Sequence, residues 1–164
     1  MSNTVWTFTN QRKLNKKEFI DYVERKVFRT IRKHQMLPKD KIITLKKDNS
    51  LNTIVLKKII ETKFQVKLIS TTDNRQPNTI SANLSQIAED TFKEILKGNF
   101  KKQIPNNAPL AQLSDKEIEL YSKLTNIKGA KRKQDKKIQN LFDKFLKKNQ
   151  DLELNIVKAI GQIK

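Results

Sequence analysis

Residues 41–60 read KIITLKKDNSLNTIVLKKII. Lys41 to Leu45 is a short apolar run with β-branched residues, the make-up of a buried strand. Lys46 to Ser50 is a polar turn, and Leu51 to Ile60 has the apolar spacing of an amphipathic helix. A second strand, Gln65 to Ser70, comes soon after. Strand, turn, helix and strand in this order open a parallel α/β sheet, because parallel neighbours need a crossover. In such sheets phosphate lies at the turn after the first strand, against the N-terminus of the helix. A phosphate cradle uses glycine, since a residue without Cβ lets backbone amides come close. This turn carries Lys46, Lys47 and Asp48 and no glycine. The plan is a nucleotide-binding one with its nucleotide chemistry taken out.

The 164 residues suit one domain, and an apolar fraction of 36% gives a lean core. Cysteine is absent, which excludes disulfides, thiolate nucleophiles and Cys-ligated zinc. With one histidine, His34, an N/S-ligand zinc site is not expected. No run reaches the length of a membrane span, and Met1 to Trp6 lacks a signal-peptide apolar region, so the expected location is cytoplasmic. Lys and Arg number 35 against 17 Asp and Glu, a net charge of +18. Such an excess draws in polyanions, and nucleic acid is the expected partner rather than a membrane.

Around the central unit, residues 1–15 read as polar and irregular, with Trp6 and Phe8 as docking aromatics. A helix is expected from Lys16 to His34, with Phe19 or Ile20, Val23, Val27 and Ile31 inward. Its other side carries Lys16, Lys17, Arg25, Lys26, Arg29, Arg32 and Lys33, a basic stripe that also suits a solvated face. Asp73, Asn74 and Pro77 mark a loop, and Thr79 to Ser81 is a third short strand. Ser81 or Asn83 caps a helix from Leu84 to Lys97, with Ile87, Thr91 or Phe92, and Ile95 or Leu96 buried and Gly98 at the stop. Ser114-Asp115-Lys116-Glu117 is a capping box for a helix to Thr125. Lys128, Lys131, Arg132, Lys133, Lys136 and Lys137 form the densest basic run. They open a helix whose apolar stripe is Ile138, Leu141, Phe142, Phe145 and Leu146. A last helix spans Leu152 to Ile163.

In order and spacing these segments resemble the tRNA 2-thiolation enzymes of the PP-loop ATP pyrophosphatase superfamily. Phe19 to His34 looks like the family's helix before the first strand. Lys41 to Ile60 stands where the family has strand, PP-loop and helix. Ile80 to Asp90 resembles its Thr-Gly-His-Asn-Leu-Asp-Asp-Glu-Ala segment. Pro109-Leu110 with Asp115 to Tyr121 resembles its Pro-Leu…Glu-Lys-Glu…Tyr segment, and Leu154 to Ile160 its C-terminal end. The departures are systematic. Where the family has Ser-Gly-Gly-x-Asp-Ser, this chain has Leu45 to Ser50. Ser85, Gln86 and Ile87 replace Asp-Asp-Glu. The family's cysteines have no counterpart, and its middle, between Ser70 and Thr79, is nearly absent.

The resemblance implies an α/β fold, a reduced PP-loop-ATPase-like sheet flanked by helices with a helical C-terminal third. Lys41–Leu45 is expected in the middle of that sheet. An N-terminal segment and basic helix over 1–37 should join a degenerate α/β domain over 38–164 in one compact unit. Lys47, Asp48, Asn49, Ser50, Ser81 and Asn83 occupy vestigial nucleotide-site positions. No cofactor and no metal are expected, and the chain is expected not to be an enzyme. An enzyme of altered chemistry would draw on Asp48, Ser50, Ser81 and Asn83. The implied function is binding of tRNA or another structured RNA, beside an active thiolation paralogue. The alternative is a stand-alone protein on ribosomal RNA or the ribosome. Both basic clusters are the expected RNA contacts, on a shared or adjoining face.

Overall fold

A computed structural model describes residues 3–101 and 104–162. The N-terminus departs from the irregular segment expected. β1 (Thr4–Thr7) and β2 (Lys13–Asn15) form an antiparallel hairpin, Trp6 opposite Leu14. The hairpin forms because Trp6, Phe8 and Leu14 have an apolar surface to cover. Trp6 packs on Phe19 at 5.4 Å between ring centroids, and Phe8 meets Tyr22 edge-on at 5.1 Å. Asn15 then starts α1 (Lys16–Lys33) through a reciprocal capping box with Glu18. Arg32 and Lys33 lie in its last turn, where cations suit the helix dipole.

β3 (Ile42–Lys46), α2 (Leu51–Glu61) and β4 (Gln65–Ile69) form the expected unit, with β3 parallel to β4 and Ile43 opposite Val66. β3 begins one residue later than the sequence suggests, because Lys41 has φ +57. Thr79 to Ser81 is not a strand. Asn78 and Thr79 instead run along the free edge of β3. The Asn78 side chain accepts from Thr44 N at 2.9 Å and donates to the Ile42 carbonyl at 3.1 Å, and Thr79 N donates to the Thr44 carbonyl at 3.2 Å. A side-chain amide thus does the work of a strand backbone at that edge, and β3 is not the middle strand expected: the parallel sheet has two strands, β3 and β4, because no third strand forms beside it.

α3 (Leu84–Leu96) is capped by Asn83 and followed by Gly98 at φ +77. α4 (Asp115–Leu124) carries the Ser114–Glu117 capping box. α5 (Lys136–Leu146) is capped by Asp135, and α6 (Leu152–Gln162) closes the described chain. Ile163, the expected end of the last helix, lies outside the described residues.

Two apolar clusters hold these elements. Phe19, Val23 and Val27 of α1, Ile43 and Leu45 of β3, Leu56, Ile59 and Ile60 of α2, and Ile118 and Tyr121 of α4 make the first. Each large side chain buried there contributes roughly 1.5–3 kcal/mol. This cluster draws residues from both sides of position 37. Leu84, Ile87 and Ala88 of α3, Ile138 and Phe142 of α5, and Val157 of α6 make the second. In α3 the buried face runs through Ile87 and Thr91, while Leu96 is 68% exposed. In α5 only Ile138 and Phe142 of the expected stripe are buried; Leu141 and Phe145 face outward.

Candidate functional site

The turn after β3 is closed from within. Lys47 N continues the parallel pairing onto the Ile69 carbonyl at 2.8 Å. Ser50 N donates to Asp48 Oδ1 at 2.9 Å. Ser50 caps α2, its Oγ accepting from Thr53 N at 3.2 Å, and Thr53 Oγ1 donates onward to Ser81 Oγ at 2.9 Å. The segment before α5 lies parallel to the turn: Leu51 N donates to the Ala130 carbonyl at 2.8 Å, and Ala130 N to the Asn49 carbonyl at 2.9 Å. Gly129 allows this approach, since a Cβ there would stand 2.9 Å from Leu51 Cα. The amides of Lys47, Ser50, Leu51 and Thr53 are therefore spent on the protein itself rather than aimed at a ligand. Burial alone would raise the Asp48 pKa, but hydrogen bonds from Ser50 and Thr53 and the nearby Lys46 charge outweigh it and hold the carboxylate low.

Beside this turn lies a buried ion network. Arg132, 11% exposed, donates Nε to Asp115 at 3.0 Å and Nη1 to Glu89 Oε2 at 2.8 Å. Glu89 Oε1 also accepts from Lys93 Nζ at 3.0 Å and Asp135 N at 3.1 Å. Asp115 Oδ1 accepts from Asn83 Nδ2 at 2.7 Å. Ser85 Oγ accepts from Asp115 N at 2.9 Å and donates to Glu153 Oε2 at 2.8 Å. The network ties α3, α4, α6 and the 129–135 segment together. Burial would raise Glu89, but the hydrogen bonds from Arg132, Lys93 and Asp135 N outweigh it and hold it low. Burial pushes Glu153 up, with Ser85 only partly opposing.

Of the positions grouped as a vestigial nucleotide site, Asp48, Ser50 and Ser81 meet in the hydrogen-bonded chain through Thr53, and Asn49 accepts from Ala130. Lys47 points no charge into it, being exposed. Asn83 belongs instead to the ion network. Sequence reasoning missed Thr53, Glu89 and Asp115. The available signal was Arg132, an arginine amid lysines, since the guanidinium fork suits buried carboxylates.

Two residues leave the expected RNA set. Arg132 is committed to carboxylates. Lys26 donates to Tyr22 Oη at 2.6 Å and the Gln112 carbonyl at 2.9 Å, and lies 3.5 Å from Glu117. Tyr22 in turn donates to Glu117 at 2.6 Å, and burial together with the Glu117 charge pushes its pKa well up. Lys16, Lys17, Arg25, Arg29, Arg32, Lys33, Lys128, Lys131, Lys133, Lys136 and Lys137 are exposed. Arg25 pairs with Asp21 at 2.9 Å, an exposed contact worth little.

The architecture is that of the PP-loop thiolase fold, an α/β scaffold with a small parallel sheet, flanking helices and a helical C-terminal third. In particular the chain is similar to the U34-tRNA thiolase NcsA from Methanococcus maripaludis, solved with its 4Fe–4S cluster. The TM-score is 0.71 at 12% identity, over 98% of this chain and 84% of that one. No family model and no curated protein matches the sequence. The likeness overturns the expectation that the chain is not an enzyme, because the scaffold shared over 98% of its length is an enzyme's. An iron–sulfur cluster needs thiolate ligands, and a chain without cysteine does not fit one. Among the described residues no group of three or more His, Asp or Glu side chains is placed to hold a metal ion. No helix of the described residues is long and apolar enough to cross a membrane.

Proposed function

We propose that this chain binds structured RNA of the tRNA class, on a scaffold used for tRNA modification, through exposed lysines and arginines of α1 and of the 128–137 segment. The observation that carries the reading is the coincidence of a tRNA thiolase's fold with a net charge of +18. The neighbour acts on tRNA, and the cationic excess supplies phosphate contacts. Segments 1–37 and 38–164 act as one unit in this reading, since α1 shares a core with β3, α2 and α4. The Lys46–Ser50 turn serves as a clamp between α2 and the 129–130 segment rather than as a phosphate cradle.

Filter binding of purified tRNA between low and physiological salt tests the RNA claim. The expected result is an affinity falling steeply with salt; absence of binding at low salt would sink it. Calorimetry with ATP and magnesium tests the clamp, and a micromolar, magnesium-dependent site would overturn it. The charge alone also suits ribosomal RNA. Sedimentation with ribosomes at low salt, with no preference for free tRNA, would favour that second reading, and co-purification with an active thiolation paralogue would favour the first.

A further inference from the structure

The two basic clusters are joined by a helix that neither includes. Two shallow depressions, 670 and 550 Å³, are each lined in part by α4. The first is lined by Lys16, Lys17 and Ile20 of α1 and by Leu124. The second is lined by Lys116, Leu120 and Lys123 of α4 and by Ile127, Lys128 and Lys131. Leu120 of the second and Leu124 of the first are one turn apart on α4, so the two depressions are neighbours along the helix. Lys116 and Lys123 lie two turns apart on one face, about 10 Å along the axis.

Charge is unevenly distributed around this helix. Glu119 is the sole carboxylate lining the two depressions, and Lys131 pairs with it at 3.1 Å. A further cleft shares Lys116 and Glu119 with the second depression and is lined also by Asp115, Glu117, Asp151 and Glu153 and by Lys26 and Lys147. The cleft thus mixes both signs of charge, while the two depressions are lined by lysines with a single carboxylate. The floor residues Ile20, Leu120, Leu124 and Ile127 are half-buried, and none is among the exposed large hydrophobics. Lysine stems cover such a floor while their ammoniums stay at the rim. That arrangement offers point charges to a polyanion and little bare apolar surface to a docking helix.

We infer that the phosphate backbone of a structured RNA runs along α4, from Lys16 and Lys17 past Lys123 and Lys116 to Lys128 and Lys131. The inference rests on the RNA-binding reading and adds Lys116 and Lys123 to it.

The test compares two triple variants with the wild type, using purified tRNA as the probe in filter-binding titrations from 50 to 200 mM salt, roughly the range over which phosphate contacts dominate affinity. One carries Lys116→Ala, Lys123→Ala and Lys128→Ala. The other carries Lys144→Ala, Lys148→Ala and Lys158→Ala, which removes the same charge from α5, its end and α6. All six lysines are exposed, and circular dichroism melts confirm that both variants fold. The α4 triple should make the log–log salt slope shallower by roughly two to three units, and the other triple should leave it near the wild type. Equal shifts in both would mean net charge alone acts, and an unchanged slope in the α4 triple would remove α4 from the RNA surface. Either result overturns this inference while leaving RNA binding itself intact. A wild type that does not bind tRNA would instead bring down the functional reading beneath it. Loss of an acidic protein partner in the α4 triple, with RNA binding kept, would assign the groove to that partner and overturn the inference too.

Discussion

Arg132 shows how misleading a local charge run is at the scale of one residue. It stands among lysines in the sequence, yet its guanidinium is shared between Glu89 and Asp115. Removing it leaves Asp115 with neutral hydrogen-bond donors only and Glu89 with Lys93 as its one cation, and a buried carboxylate that loses its cation is costly. Arg132→Ala should therefore cost about 3 kcal/mol or more in chemical denaturation, while exposed Lys133→Ala should be near neutral. Glu153 makes the opposite case. Burial raises its pKa, so the folded protein holds the proton more tightly than the unfolded chain does. The stability it contributes is complete below the ordinary glutamate range and is lost as pH rises through the raised value. At neutral pH the buried carboxylate is a burden. Glu153→Gln keeps an acceptor for the Ser85 hydroxyl and should raise Tm at pH 7, with the gain vanishing near pH 4. A variant less stable at pH 7 would contradict this. Glu89 runs the other way: held low, it stabilises above the ordinary glutamate range and loses that contribution as pH falls.

Among the elements, β3 is the one whose neighbours matter most. It has a true strand on one side only, and Asn78 on the other. Asn78→Ala removes an acceptor and a donor from the β3 edge. Hydrogen bonds of this kind contribute about 1 kcal/mol each, less where water replaces them. A loss of about 1 kcal/mol is expected, with faster amide exchange at Thr44, whose N–H donates to Asn78. Unchanged exchange at Thr44 would show that the strap does not protect the edge. α4 works differently. Its Ile118 and Tyr121 anchor it in the first core, its Asp115 joins the ion network, and Lys116 and Lys123 remain free for an outside partner.

At the scale of the whole molecule, the carboxylates are the scarce resource. Glu89, Glu117 and Glu153 are buried and hydrogen-bonded, and Asp115 is spent on Arg132. The surface is thus more uniformly cationic than composition alone suggests, and self-repulsion weakens the compact state. Salt should act in two directions. Raising it from low to physiological levels should raise Tm by screening like charges, while weakening RNA binding through counterion release. A Tm that falls over the same range would mean the internal ion pairs, not surface repulsion, set the salt response.

The sequence by itself determined the strand–turn–helix–strand centre, because Ile42 to Leu45 and Leu51 to Ile60 carry periodicities that only one arrangement satisfies locally. It also determined the capping box at Ser114 and narrowed the cap of α3 to Ser81 or Asn83, since caps depend on neighbours two or three residues away. The absence of cysteine settled the lack of thiolate ligands. Tertiary structure decided what depends on distant residues meeting. The N-terminal hairpin exists because Trp6 and Phe8 find Phe19 and Tyr22. Thr79 to Ser81 is no strand because Asn78 pairs with β3 through its side chain. Lys26 and Arg132 leave the surface because Gln112, Glu117, Glu89 and Asp115 come to them from elsewhere in the chain. Lys16 and Lys17 of α1 come to line one depression with Leu124 of α4, whose Leu120 lines another with Lys128 and Lys131 from far along the chain. Periodicity reports which face of an element is apolar, but not which charged partner the folded chain brings to the other face.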